Sequence, residues 1–89
     1  MQNLLLTISI LNIDGEVYAY APAIAKLIMP LKLSNVEDAE LVIRDFLDKN
    51  SDTVINPLPP ISIIHQTKLW LRLHGYPLSS FISYITITV

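Results

Sequence analysis

Apolar and polar residues alternate along residues 4–13, where Leu4, Leu6, Ile8 and Ile10 stand two apart with Thr7 and Ser9 between them. That is the period of a strand. Asp14-Gly15 follows at once, a dipeptide that signals a hairpin because glycine accepts positive φ and an aspartate side chain closes the turn. The returning strand is Glu16 to Ala21, with Glu16, Tyr18 and Tyr20 on one face and Val17, Ala19 and Ala21 on the other. Pro22 suits the first turn of a helix, where its missing N–H costs nothing, and Pro30 ends it. A short helix over about 22–29 is expected, covering the sheet with Ala23, Ile24, Leu27 and Ile28 and relying on that contact for its stability.

The longer helix is predicted over 35–49. Val36, Ala39, Ile43, Phe46 and Leu47 form a stripe of helical period, and Ser34 and Glu37 have the spacing of a capping box. Glu40–Arg44, Arg44–Asp48 and Asp45–Lys49 are four apart on its outer side, and acids crowd its start while Lys49 lies at its end. Asn50-Ser51-Asp52 stops it, and Asn56-Pro57-Leu58-Pro59-Pro60 reads as an extended polyproline-type connector. Beyond it, Ile61 to Ile64 is expected to start a strand, and residues 68–74 alternate Leu69, Leu71 and Leu73 against Lys68, Trp70, Arg72 and His74. Strand is the preferred reading of 68–74, with helix over 62–74 its competitor. Gly75-Tyr76-Pro77 makes a turn, and Phe81 to Val89, rich in Ile, Thr and Tyr, is a strand. The pattern predicts one α+β domain over 1–89. It is a mainly antiparallel sheet of about four strands, an N-terminal and a C-terminal hairpin, with the helices at 35–49 and 22–29 packed on it.

Composition adds the next constraint. Of 89 residues, 52% are hydrophobic and 16% charged, against roughly 25% charged in an ordinary soluble domain. A chain this small buries only about 60% of its unfolded surface, so it carries more apolar residues than one core needs. With no cysteine, neither disulfides nor thiolate metal sites add to the core. An oligomer or assembly subunit resolves the surplus. The net charge of −2 lacks the global signature of a dedicated nucleic-acid binder. Its distribution is uneven: residues 37–52 hold six acids against Arg44 and Lys49, whereas 53–89 hold only Lys68 and Arg72. An acidic middle and a basic C-terminal third would attract each other within one molecule or between copies.

The run Leu4 to Leu11 is far short of the roughly 20 residues that span a bilayer. Ala19 and Ala21 have the spacing of a signal-cleavage site, but no Lys or Arg precedes the apolar run, and Asp14 and Glu16 interrupt it. The expectation is an uncleaved, cytoplasmic chain.

Candidate chemistry is sparse. As a strand, Lys68, Trp70, Arg72 and His74 would share one face, with cations and an aromatic interleaved to track phosphates and stack a base; Tyr18 and Tyr20 would extend the platform. Against this, the same row serves as the solvent side of a half-buried strand, with Trp70 covering a core edge or an interface. His65 and His74 lack further ligands in a short motif, Ser79 and Ser80 lack a nucleophile elbow, and two glycines build no phosphate-cradling loop. Lys26, in an apolar setting, reads as a lysine extending its ammonium to water rather than as a nucleophile. Pro57 and Pro60 have P-x-x-P spacing without the basic residue that orients such ligands, so a stiff linker is expected. No cofactor, metal or catalytic group is expected.

Association is what the chain's two ends point to. No charged side chain occurs from 1 to 13, and from 73 to 89 only His74 can carry charge. Exposed edge strands normally carry lysines, prolines or bulges. Both strands are therefore expected to be covered, as central neighbours in one sheet or by pairing across a chain boundary. The function expected is a non-enzymatic structural or interaction protein, a subunit of a homo-oligomer or larger assembly. A small inhibitor encoded by a virus or mobile element is one form of that role. Its contact residues are Lys68, Trp70, Arg72, His74, Phe81 and Tyr84. A small nucleic-acid-binding module using the Trp70 row is the alternative, and an enzyme with sites assembled between subunits ranks last.

Overall fold

The computed structural model describes residues 4–89; residues 1–3 of the uncharged N-terminal stretch lie outside them. The hairpin forms where expected. Strands β1 (Leu5–Ile13) and β2 (Glu16–Tyr20) pair antiparallel, with Ser9 opposite Tyr20 and Ile13 opposite Glu16. Asp14 and Gly15 have φ of 54° and 83°, the left-handed pair that a two-residue hairpin loop needs. The side chain that closes the turn is Asn12 rather than Asp14, since the Gly15 amide donates to Asn12 Oδ1 at 3.1 Å.

Strand β3 (Leu31–Leu33) pairs with β2, and β4 (Phe81–Thr88) pairs with β1, so the order is β3-β2-β1-β4 and every pairing is antiparallel. Helices α1 (Ala39–Lys49) and α2 (Pro60–Leu73) complete an α+β fold. Three parts of the expected arrangement are corrected. There is no C-terminal hairpin, because β4 follows a helix and returns to β1. No helix forms over 22–29. That stretch makes separate turns, Ile24 N–H to Ala21 O and Leu27 N–H to Ile24 O, while its backbone bonds Val54 and Asn56 across an Ile24–Ile55 bridge. Between two prolines it is too short to nucleate a helix, and lateral pairing satisfies the same groups.

The third correction is residues 68–74, which lie in α2. Pro60 is its first residue, and Gly75 (φ 78°) follows its end. Tyr76 N–H bonds Leu71 O and Gly75 N–H bonds Arg72 O, a Schellman cap that needs a left-handed residue at Gly75. The buried stripe is Ile63, Thr67 and Leu71, four apart. Leu69 and Leu73 are exposed, so the Leu69/Leu71/Leu73 alternation does not describe burial.

Helix α1 follows a 3-10 turn, Val36–Asp38. Its residues Ala39 and Ile43 are buried against Leu6, Ile8, Ile10, Ala19 and Leu33. The expected capping box is not made: Asn35 holds the cap position and no side chain bonds there. Glu40–Arg44 and Asp45–Lys49 pair at 2.9 and 3.0 Å, and Arg44 turns to Glu40 instead of Asp48. On the opposite face of the sheet, Leu71 of α2 packs with Leu11, Ile13 and Tyr20. Strand β1 is therefore buried on both faces, so the polar members of its alternation, Thr7 and Ser9, are buried as well. Among the described residues no ion pair joins the acids of 37–52 to Lys68 or Arg72.

Candidate interaction edge

Strand β1 is covered within the chain by β2 and β4, whereas β4 lies at the rim of the sheet, so of the two forms of cover expected for it the chain itself does not supply the first. Its hydrogen-bonding register identifies the free groups. Leu4 and Val89 exchange both backbone bonds, at 2.9 and 2.8 Å, and antiparallel pairs alternate from there. Val89, Ile87, Ile85 and Ser83 thus direct their amides and carbonyls at β1, while Thr88, Thr86 and Tyr84, and the carbonyl of Ile82, face outward.

The two ends of this edge are blunted. The register slips between Ile10 and Leu11, placing a bulge at Ile82, and the Arg44 guanidinium donates to the outward Thr88 carbonyl at 2.8 Å. Between them the edge is open and uncharged. The opposite rim, β3, has only three residues, follows Pro30 and carries Lys32, which pairs with Glu16 at 3.4 Å. Those are the usual protections of a sheet edge. The middle of β4 has none.

Tyr84 stands opposite Ser9 on the face covered by α2, and Ile82 and Tyr84 are 52% and 46% exposed. Lys68 reaches over the Phe81 ring, 5.7 Å from its centroid, which marks the flank of α2 that runs beside β4. The same flank carries Ile64 and, 64% exposed, Ile61. Open clefts lie at both ends of the strand. One of about 440 Å³ is lined by Asn12, Asp14, Tyr76, Ser79 and Ile82, and one of about 430 Å³ by Leu5, Pro57, Pro59 and Thr86.

The structure does not gather the expected four-residue row. On a helix, Lys68 and Arg72 share one side, and Trp70 and His74 share another. Trp70 is engaged by His74 (centroids 4.2 Å apart), Tyr20 (5.3 Å) and Tyr76 (5.9 Å), so it closes the sheet-to-helix seam. His74 Nδ1 donates to the Trp70 carbonyl at 2.9 Å, which fixes the stack. Burial raises the Tyr20 hydroxyl above its ordinary pKa, because the phenolate would lose water without gaining a partner. Phe81 and Tyr84 both lie on β4, and Lys68 reaches the Phe81 ring.

Among the described residues no three His, Cys, Asp or Glu side chains converge as a metal site. Lys26 is exposed and bonds Asp52 at 2.6 Å, consistent with an ammonium held in water. Pro59 has φ −64° and ψ 155°, the polyproline conformation expected of the connector, and Pro60 passes into α2. No described helix is long and apolar enough to cross a membrane. Sequence reasoning identified β4 as uncharged but missed its place at the rim, which depends on which strand occupies the centre. Comparison of the chain with protein-family models, curated proteins and solved structures finds no match.

Proposed function

We propose that this chain is a non-enzymatic, cytoplasmic structural or interaction protein, a subunit of a homo-oligomer or larger assembly that binds by continuing its sheet across β4. The observation that carries this reading is the open, uncharged edge from Ile82 to Thr86, set against a short, charged and paired β3. Main-chain groups on such an edge give affinity to any strand laid beside them, and flanking side chains select the partner. Exposed Ile61, Ile82 and Tyr84 supply apolar surface next to the backbone groups. The edge carries no carboxylate, amine, imidazole or thiol, and the hydroxyls of Ser83, Tyr84 and Thr86 have no such group beside them on the strand, which favours recognition as its role.

Light scattering and amide hydrogen exchange test this together. The expected result is a mass above that of the monomer at high micromolar concentration, with slowed exchange at Tyr84 and Thr86. A monodisperse monomer whose outward amides exchange like those of a loop, and which retains no partner when used as bait, overturns it.

A further inference from the structure

We propose that the occupant of the β4 edge is a second copy of this chain, docked about a two-fold axis through Tyr84 so that the two sheets become one. This rests on the edge-pairing role above and adds its partner and register. The limits of the open edge set the register. The bulge leaves the Ile82 carbonyl outward, since it shares a peptide unit with the inward Ser83 amide. The Thr88 carbonyl is held by Arg44, so the outward groups left for pairing run from the Ile82 carbonyl to Thr86 and centre on Tyr84. A two-fold there sets Tyr84 against Tyr84 of the second copy and Ile82 against its Thr86. The Tyr84 pair then exchanges both backbone bonds, and each Thr86 amide meets the outward Ile82 carbonyl. An axis one residue along would bring Ile82 against Thr88, whose carbonyl is already used.

Charge also favours a copy. An isologous interface brings each residue near its own kind, and like charges repel. This strand has no charge to repeat. The nearest cation, Lys68, lies over Phe81, three residues from the axis, or ~10 Å at about 3.3 Å per residue. The two lysines are then ~20 Å apart, well beyond the screening length of about 8 Å. Helix α2 runs opposite to β4, with Pro60 near Thr86 and Lys68 near Phe81. The axis therefore sets exposed Ile61 of one copy beside the Phe81 end of the other, covering apolar surface that the lone chain leaves bare.

The absence of native cysteine makes single-cysteine scanning clean. In the proposed register the Tyr84 Cα atoms are about 5.5 Å apart, inside the disulfide range of about 4.4–6.8 Å. The two Thr86 Cα atoms are ~13 Å apart, outside it. Under mild oxidation Tyr84→Cys should become mostly cross-linked dimer, and Thr86→Cys should give less than a tenth as much. Thr86→Pro removes an amide that points outward, so it should keep the far-ultraviolet circular dichroism and weaken self-association at least tenfold.

Cross-linking of Thr86→Cys as efficient as that of Tyr84→Cys overturns the register. Undiminished self-association of Thr86→Pro overturns the interface. A wild-type monomer whose Tyr84 and Thr86 amides become protected only when a different protein binds overturns the second copy while leaving the edge-pairing role standing. A wild-type monomer with those amides exposed throughout removes both.

Discussion

A buried chain of hydroxyls between β1 and α2 yields a prediction whose sign depends on which partner is removed. Thr67 Oγ1 lies 2.8 Å from the Ile63 carbonyl and 2.7 Å from Ser9 Oγ, and both side chains belong to residues with 0% exposure. A carbonyl only accepts, so the single Thr67 proton goes to Ile63, and the contact with Ser9 requires Ser9 to donate to Thr67. Thr67→Val keeps the shape and deletes the acceptor, leaving the Ser9 hydroxyl buried without a partner at a cost of about 1–3 kcal/mol. Ser9→Ala leaves Thr67 bonded to Ile63 and removes one ordinary bond, about 1 kcal/mol. The double variant removes both hydroxyls and should recover much of the Thr67→Val loss. For a chain of this size a change of 1 kcal/mol moves the melting temperature by about 4–8 °C, so urea and thermal unfolding of the four proteins resolve the cycle. Total stability is on the order of 4–13 kcal/mol, so each change is a visible fraction of it. A Thr67→Val protein as stable as wild type, or a double variant destabilised by the sum of the singles, refutes the donor assignment.

Ile43, fully buried between α1 and the sheet, should lose about 2–5 kcal/mol on Ile43→Ala; Leu41→Ala, at a 71% exposed position, should change stability by less than about 0.5 kcal/mol in the same urea titration. Gly15→Ala meets no atom within 4 Å of the added carbon, so its loss comes from backbone strain at φ 83° alone and should be about 1–2 kcal/mol, read as a lower unfolding midpoint. The hydrogen bond from Lys26, helped by Asp52's own amide and the Lys26 charge, holds the Asp52 carboxyl below the usual range. Its small stabilisation is complete above the unfolded aspartate value and fades as pH falls through the lower folded one; Asp52→Asn should remove that acid-side dependence from melting temperatures. Tyr20 behaves oppositely. Its raised folded pKa means the unfolded chain ionises first, so stability should decline as pH climbs past the ordinary tyrosine value, and Tyr20→Phe should flatten that alkaline limb.

Features set by near neighbours in the chain are legible in the sequence. The two-period run into Asp14-Gly15 requires a hairpin because few other residues adopt paired positive φ, and the stripe from Ala39 to Leu47 forms a helix because it buries one face, while Val36 stays exposed in the preceding 3-10 turn. The Ile, Thr and Tyr residues of 81–89 likewise mark β4 as a strand. Residues 68–74 show where local pattern fails. Their alternation fits a strand, yet Pro60 and Gly75 stand at the first-turn and left-handed capping positions of one 14-residue helix, and burial follows Ile63, Thr67 and Leu71. The same error assembles a Lys68-to-His74 face that helical geometry takes apart.

The amino-acid order alone, then, determined the hairpin, the main helix, the terminal strand and the lack of charge along it, because each follows from turn chemistry, periodicity or composition within a few residues. Only the tertiary structure decided that β1 lies at the centre and β4 at the rim, that Ser9 finds Thr67, and that Arg44 caps Thr88. Strand order is a competition among alternative long-range pairings, all satisfying the same backbone groups. It is settled by which faces α1 and α2 can bury at once.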